Sequence, residues 1–182
     1  MVFVNFILNL SPKITATMNT DSKTQSRNVS ALIDFLKNGI GDLQEKTSLI
    51  MKVLGVKGDV EAIVDIVNNE GLLPLNFKDI FISILPFKEK YVASVVASGP
   101  DRISKIQQEL KSKFPISPDD AEHMLFYIIE KKGSTTPLKM SEVSKIRDEF
   151  TSVPMDKVYG VGRSAKLADG EIQLIVILSK GK

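Results

Sequence analysis

The sequence has no cysteine, no tryptophan and one histidine, His123. Without cysteine there is no disulfide, no thiol nucleophile and no cysteine-ligated zinc. A lone histidine excludes a multi-histidine metal site. Charge of one sign is also lacking: 24 Lys and Arg against 22 Asp and Glu leave a net +2. The two signs are interspersed, so the footprint expected for a nucleic acid or an anionic membrane surface is missing. No apolar run reaches the ~20 residues that span a bilayer. Met1–Leu10 is apolar but short, lacks a basic start and is interrupted by Asn5 and Asn9. A secretory signal is therefore not expected, and the default location is cytoplasmic.

What remains is an ordinary globular composition, 43% apolar and 25% charged over 182 residues. That length supports one domain with a proper core. Val2–Leu10 alternates like a strand. Ser11–Asn28 is polar, with Pro12 at its start, and reads as a flexible linker. Residues 1–28 thus form an N-terminal strand and linker. Residues 29–70 form a helical segment. Val29, Leu32, Ile33 and Leu36 give the face of a short helix that Gly39 ends. From Leu43 to Asn68, the residues Ile50, Val53, Val60, Val64 and Val67 share a helical face. This suits one long helix running through Gly55 and Gly58. Two interior glycines cost roughly 1 kcal/mol each and Asp59 can cap a second helix, so two broken helices fit equally well.

Residues 71–182 read as the main domain. Gly71–Asn76 is a loop, and Phe77–Leu85 a short apolar helix stopped by Pro86. Tyr91–Ser98 and His123–Ile129 are buried strands. Between them Ile103, Ile106 and Leu110 mark a helix over Asp101–Phe114. Ser141 can cap a helix whose inner face is Val143, Ile146 and Phe150. Lys157–Gly162 and Glu171–Leu178 read as strands joined by a loop at Asp169 and Gly170, a hairpin signal. The expected class is α/β (α+β): a four-stranded mixed sheet with helices packed on it.

Several segments, taken in order, resemble the C-terminal domain of the FtsZ/tubulin family. That family's loop after its central helix commonly reads Gly-Leu-x-Asn-x-Asp-Phe-x-Asp. Here Gly71-Leu72-Leu73-Pro74-Leu75-Asn76-Phe77-Lys78-Asp79 keeps the glycine, leucine, phenylalanine and last aspartate. Ala97-Ser98-Gly99-Pro100-Asp101-Arg102 fits the family's Ala-x-Gly-x-x-Arg. Met140-Ser141-Glu142-Val143, Tyr159-Gly160 and Gly170-Glu171-Ile172 resemble later family segments. The resemblance covers roughly Leu43 to Lys182. It implies a single long helix before the domain, and a loop that faces a neighbouring subunit. In the family the loop carboxylates help water attack GTP bound to that neighbour, a task for an anionic or water-positioning group. Here Pro74 and Asn76 stand at two of those positions and only Asp79 is kept. The family's Gly-Gly-Gly-Thr-Gly-Ser-Gly phosphate loop has no counterpart before Leu43. Such a loop cradles phosphate through backbone N–H groups.

Other tempting residues read as structural. Gly160-Val-Gly-Arg-Ser-Ala-Lys166 lacks the ending of a phosphate loop and precedes a strand, so it reads as strand with small residues. Asp119, Asp120 and Glu122 follow Pro118 and read as a solvated turn. His123 heads a strand without a partner of metal-binding type. Arg102 reads as an anchor at a helix start or in an ion pair, with ligand binding as the second option. The leading functional reading is a non-enzymatic interaction or assembly module without cofactor or metal. Its contact is the loop Leu72, Leu73, Pro74, Leu75, Asn76, Phe77 and Asp79, its partner another protein, such as an FtsZ/tubulin-like GTPase, or a second copy. The alternative is a small-molecule-binding or enzymatic α/β protein that shares only the fold.

Overall fold

The computed structural model describes residues 22–72, 75–149 and 156–182. The strand expected at Val2–Leu10, and the linker up to Asp21, lie outside the described residues. Helix α1 (Ser22–Asn38) buries Val29, Leu32 and Leu36. It begins before Asn28, so the last part of the expected linker is helical instead. Residues 22–28 contain neither Gly nor Pro, and a helix anchored by its apolar half propagates through such a stretch.

Helix α2 (Leu43–Leu54) is capped by Asp42, whose carboxylate accepts from the Glu45 N–H at 2.8 Å. It ends at Gly55, which adopts the left-handed conformation with φ 67°, as glycine does at helix ends. Strand β1 (Lys57–Gly58) follows, then helix α3 (Ala62–Asn68). The single long helix implied by the resemblance is therefore broken in two. At Gly58 φ is 97°, and a β-carbon there would lie 2.2 Å from the Val92 carbonyl oxygen. Both glycines are used for a turn that lays β1 against the sheet. The expected cap is also redirected. The Asp59 carboxylate does not cap α3 but accepts from the Ser94 N–H at 2.8 Å.

The remaining elements are β2 (Glu70–Gly71), α4 (Phe77–Ile84), β3 (Glu89–Ala97), α5 (Arg102–Lys113), β4 (His123–Lys131), α6 (Met140–Glu149), β5 (Asp156–Ser164) and β6 (Ile172–Lys180). They form a six-stranded mixed sheet in the order β1-β3-β6-β4-β5-β2. The four long strands are those expected, and the two additions are two-residue strands at the edges. The closing pair is not a hairpin. β6 lies antiparallel between β3 and β4, while β5 runs parallel to β4 on its other side. The connection from Ser164 to Ile172 therefore passes over the end of β4. Its Asp169 carboxylate holds the loop after β4, accepting from Ser134 Oγ at 2.8 Å and from the Thr135 N–H at 2.8 Å.

Alternation along the strands splits the core into two layers. Leu125, Tyr127, Ile129, Ile175 and Ile177 pack with α1, α2, α3 and α4 on one face. Met124, Phe126, Ile128, Leu174, Val176 and Leu178 pack with α5 and α6 on the other. Both central strands are buried on both faces, which explains their nearly continuous apolar sequences. In α6 the expected inner residue Ile146 is buried, whereas Phe150 lies outside the described residues. Ser141 does not cap this helix, which already includes Met140. The Glu142 carboxylate instead accepts from the Lys139 N–H at 2.9 Å.

Candidate functional site

The loop between α3 and α4 is fastened to the sheet at several points. The Asn69 amide donates to the carbonyls of Asp65 and Ile66, the last turn of α3, at 2.9 and 2.6 Å. Its oxygen accepts from the Tyr127 hydroxyl at 2.9 Å. Burial raises the pKa of that hydroxyl. Next along, β2 pairs with β5, and the Leu72 N–H donates to the Val161 carbonyl at 2.9 Å. Glu70 is paired with Lys132 at 2.7 Å, and this hydrogen bond holds its carboxyl below the usual range.

Two glycines of β5 make room for this loop. A β-carbon at Gly160 would sit 2.3 Å from Leu75 Cδ1, and one at Gly162 would sit 1.7 Å from Asn69 Oδ1. The small residues of the Gly160–Lys166 stretch therefore serve close packing within a strand, as expected.

The loop side chains divide by direction. Leu75 and Phe77 are half-buried against the α1–α4 core layer. The Phe77 ring stacks 6.3 Å from Phe81 and meets Tyr127 at 6.0 Å. Leu72 points outward with 42% of its surface exposed. Leu73 and Pro74 lie outside the described residues. Asn76 donates its amide to Asp79 at 2.7 Å, in the first turn of α4. Asp79 thus occupies the favourable negative position at a helix start.

Arg102 is an anchor of the other layer. Only 5% exposed, it donates bidentately to Glu142 at 2.8 and 2.7 Å. It also donates to the carbonyls of Thr136, Gly170 and Pro137. Its hydrogen bond with Glu142 raises its own pKa and lowers that of Glu142. With these five hydrogen bonds the guanidinium joins α5, α6 and the turn before β6. His123 is buried beside Phe87, with Nε2 3.3 Å from the Ser83 hydroxyl. Asp120 pairs with Lys180 at 3.5 Å, and Glu122 accepts from the Gly181 N–H at 2.9 Å. Among the described residues no group of three His, Cys, Asp or Glu could hold a metal ion. None of their helices is long and apolar enough to cross a membrane.

One feature near the loop carried no sequence signal. Ser30, Ile33, Asp34 and Lys37 of α1 face Leu75, Asn76, Phe77 and Lys78 across a groove of about 270 Å³. It joins residues at least 38 positions apart, which no local motif reports.

No family model matches this sequence, and no curated protein matches it. Solved structures do. An FtsZ mutant from M. jannaschii superposes with a TM-score of 0.53 at 10% identity, over 87% of this chain and 52% of that one. An FtsZ dimer from M. jannaschii gives 0.54 at 11% identity, over 82% and 43%. The chain has an FtsZ/tubulin-like fold. It spans about half the length of the FtsZ chains it matches.

Proposed function

We propose that this chain is a C-terminal-domain-like member of the FtsZ/tubulin fold that acts as a protein-interaction or assembly module without GTP chemistry of its own. The observation that carries this reading is the loop at Leu72. Its backbone is fixed by β5 and its neighbour Leu75 is packed inward, yet Leu72 itself is turned to solvent. An apolar side chain exposed on a backbone already fixed, as at Leu72, docks at low entropic cost. The partner is another protein, of FtsZ/tubulin-like GTPase type, or a second copy. One FtsZ of this fold is described as a dimer.

An enzymatic site needs polar groups that converge on one pocket, with Asp79 and Arg102 as the candidates. Arg102 is engaged by Glu142 and three carbonyls, and Asp79 by Asn76. This arrangement supports the interaction reading. The test is sedimentation velocity of the purified chain, alone and mixed with a purified FtsZ-type GTPase, alongside calorimetric titration with GTP. The expected result is a complex or self-association, with no saturable GTP binding by the chain alone. Micromolar GTP binding by the isolated chain, or the absence of any assembly, would overturn the proposal.

A further inference from the structure

Beside the loop, the groove between α1 and the start of α4 has a mixed lining. Ile33, Leu75 and Phe77 give it apolar surface, and all three are only half-buried, against the α1–α4 core layer. Lys37 and Lys78 stand at it with no ion pair among the described residues, and Asp34 is its one acidic group. The other polar members are already engaged. The Ser30 hydroxyl donates to Ser26 O at 2.9 Å, and the Asn76 amide donates to Asp79. Arg27 is exposed one helical turn before Ser30, on the same face of α1, since positions three and four apart are neighbours on a helix.

We infer that this groove receives an acidic segment of a partner protein, with apolar side chains seated on Ile33, Leu75 and Phe77 and carboxylates facing Lys37 and Lys78. The inference rests on the interaction reading above and adds the chemistry of the partner. Charge complementarity decides the occupant: among the described residues Lys37, Lys78 and Arg27 outnumber Asp34 and the Asp79 carboxylate bonded to Asn76, so an acidic segment is attracted and a basic one repelled. The apolar lining selects side chains over a phosphate backbone, which would leave that surface uncovered.

The probe is a library of random twelve-residue peptides displayed on phage and selected against the full chain. Enrichment of Asp and Glu beside apolar residues is expected among the binders. Their affinity should fall at least about ten-fold in the Lys37→Gln/Lys78→Gln double variant, and also between low and high salt. The neutral double variant avoids introducing repulsion, and circular dichroism checks that it is folded. Failure to select binders, binders without acidic enrichment, or affinity unchanged in the double variant would overturn the inference. Sedimentation of Leu72→Asp separates the two levels. If that variant loses assembly while the double variant keeps full peptide affinity, the groove inference fails and the interaction reading stands. If Leu72→Asp assembles like the wild type while the double variant loses the acidic peptides, the groove inference holds and the loop reading fails.

Discussion

Asp59 and Lys113 together occupy both edge-facing backbone groups of Ser94. The Asp59 carboxylate accepts from the Ser94 N–H at 2.8 Å, the Lys113 ammonium donates to the Ser94 carbonyl at 2.7 Å, and the two side chains pair at 2.9 Å. An ion pair thus takes the place of a neighbouring strand just where β1, which reaches only Val92, ends. Exposed strand edges template pairing with other chains, and charged side chains are a common guard. Both side chains are one-third exposed, so the ion pair itself is screened. Asp59→Ala should cost about 1 kcal/mol in urea unfolding and increase association detected by light scattering. A variant that loses stability but stays as monodisperse as the wild type would show that the pair braces the turn without guarding the edge.

Arg102 should be among the least replaceable residues. Breaking a buried charge pair leaves the other charge uncompensated, so Arg102→Ala should cost about 3–5 kcal/mol. Lysine cannot reproduce the planar fork, and Arg102→Lys should recover little. Glu142 adds a pH dependence. Its carboxyl is held below its ordinary value of 4.5, chiefly by the Arg102 hydrogen bond. A carboxyl whose folded pKa is depressed contributes stability that is fully present above the unfolded pKa and is lost as pH falls through the folded one. The melting-temperature gap between wild type and Glu142→Gln should stay constant from pH 8 to about 5.5 and narrow below about 4.5. A gap that widens on acidification would contradict the pairing.

Gly162 is a packing prediction. A β-carbon would strike Asn69 Oδ1 and force it away from the Tyr127 hydroxyl, leaving a buried hydroxyl without its acceptor. Gly162→Ala should cost roughly 1–3 kcal/mol by such overpacking, measured by denaturant unfolding. Gly133→Ala is an informative control, because open space surrounds that position. Only the strain of its positive φ of 71° applies there.

What was legible in the sequence is what repeats locally. The nearly continuous apolar runs of β3, β4 and β6, and the spacing of Ile103, Ile106 and Leu110 in α5, report their elements directly. Gly55 and Gly58 were ambiguous because the apolar phase from Ile50 to Val67 continues across the break. What decides it is the approach of Gly58 to Val92, a contact 34 residues distant in sequence. The closing strands misled for a related reason. The Asp169–Gly170 turn has hairpin chemistry, but the strand inserted between β5 and β6 is β4, and no local pattern announces an insertion. Arg102 was readable as an anchor, whereas its carboxylate partner, forty residues on, was not.

The apolar loop offers the sharpest separation of packing from interaction. Leu72 and Leu75 are three residues apart and chemically identical, yet one is exposed and the other packs on the core and over Gly160. Aspartate at Leu75 places a charge among half-buried apolar groups, which should lower stability by about 2 kcal/mol or more. Aspartate at Leu72 replaces an outward side chain and should move the melting temperature little, because surface changes usually stay within about 0.5 kcal/mol. If the loop is a docking element, only Leu72→Asp removes assembly at unchanged stability. The measurement is sedimentation velocity beside thermal unfolding for both variants. Should Leu72→Asp leave every assembly intact, the loop is a packed connector, and the apolar residues around it serve the fold alone.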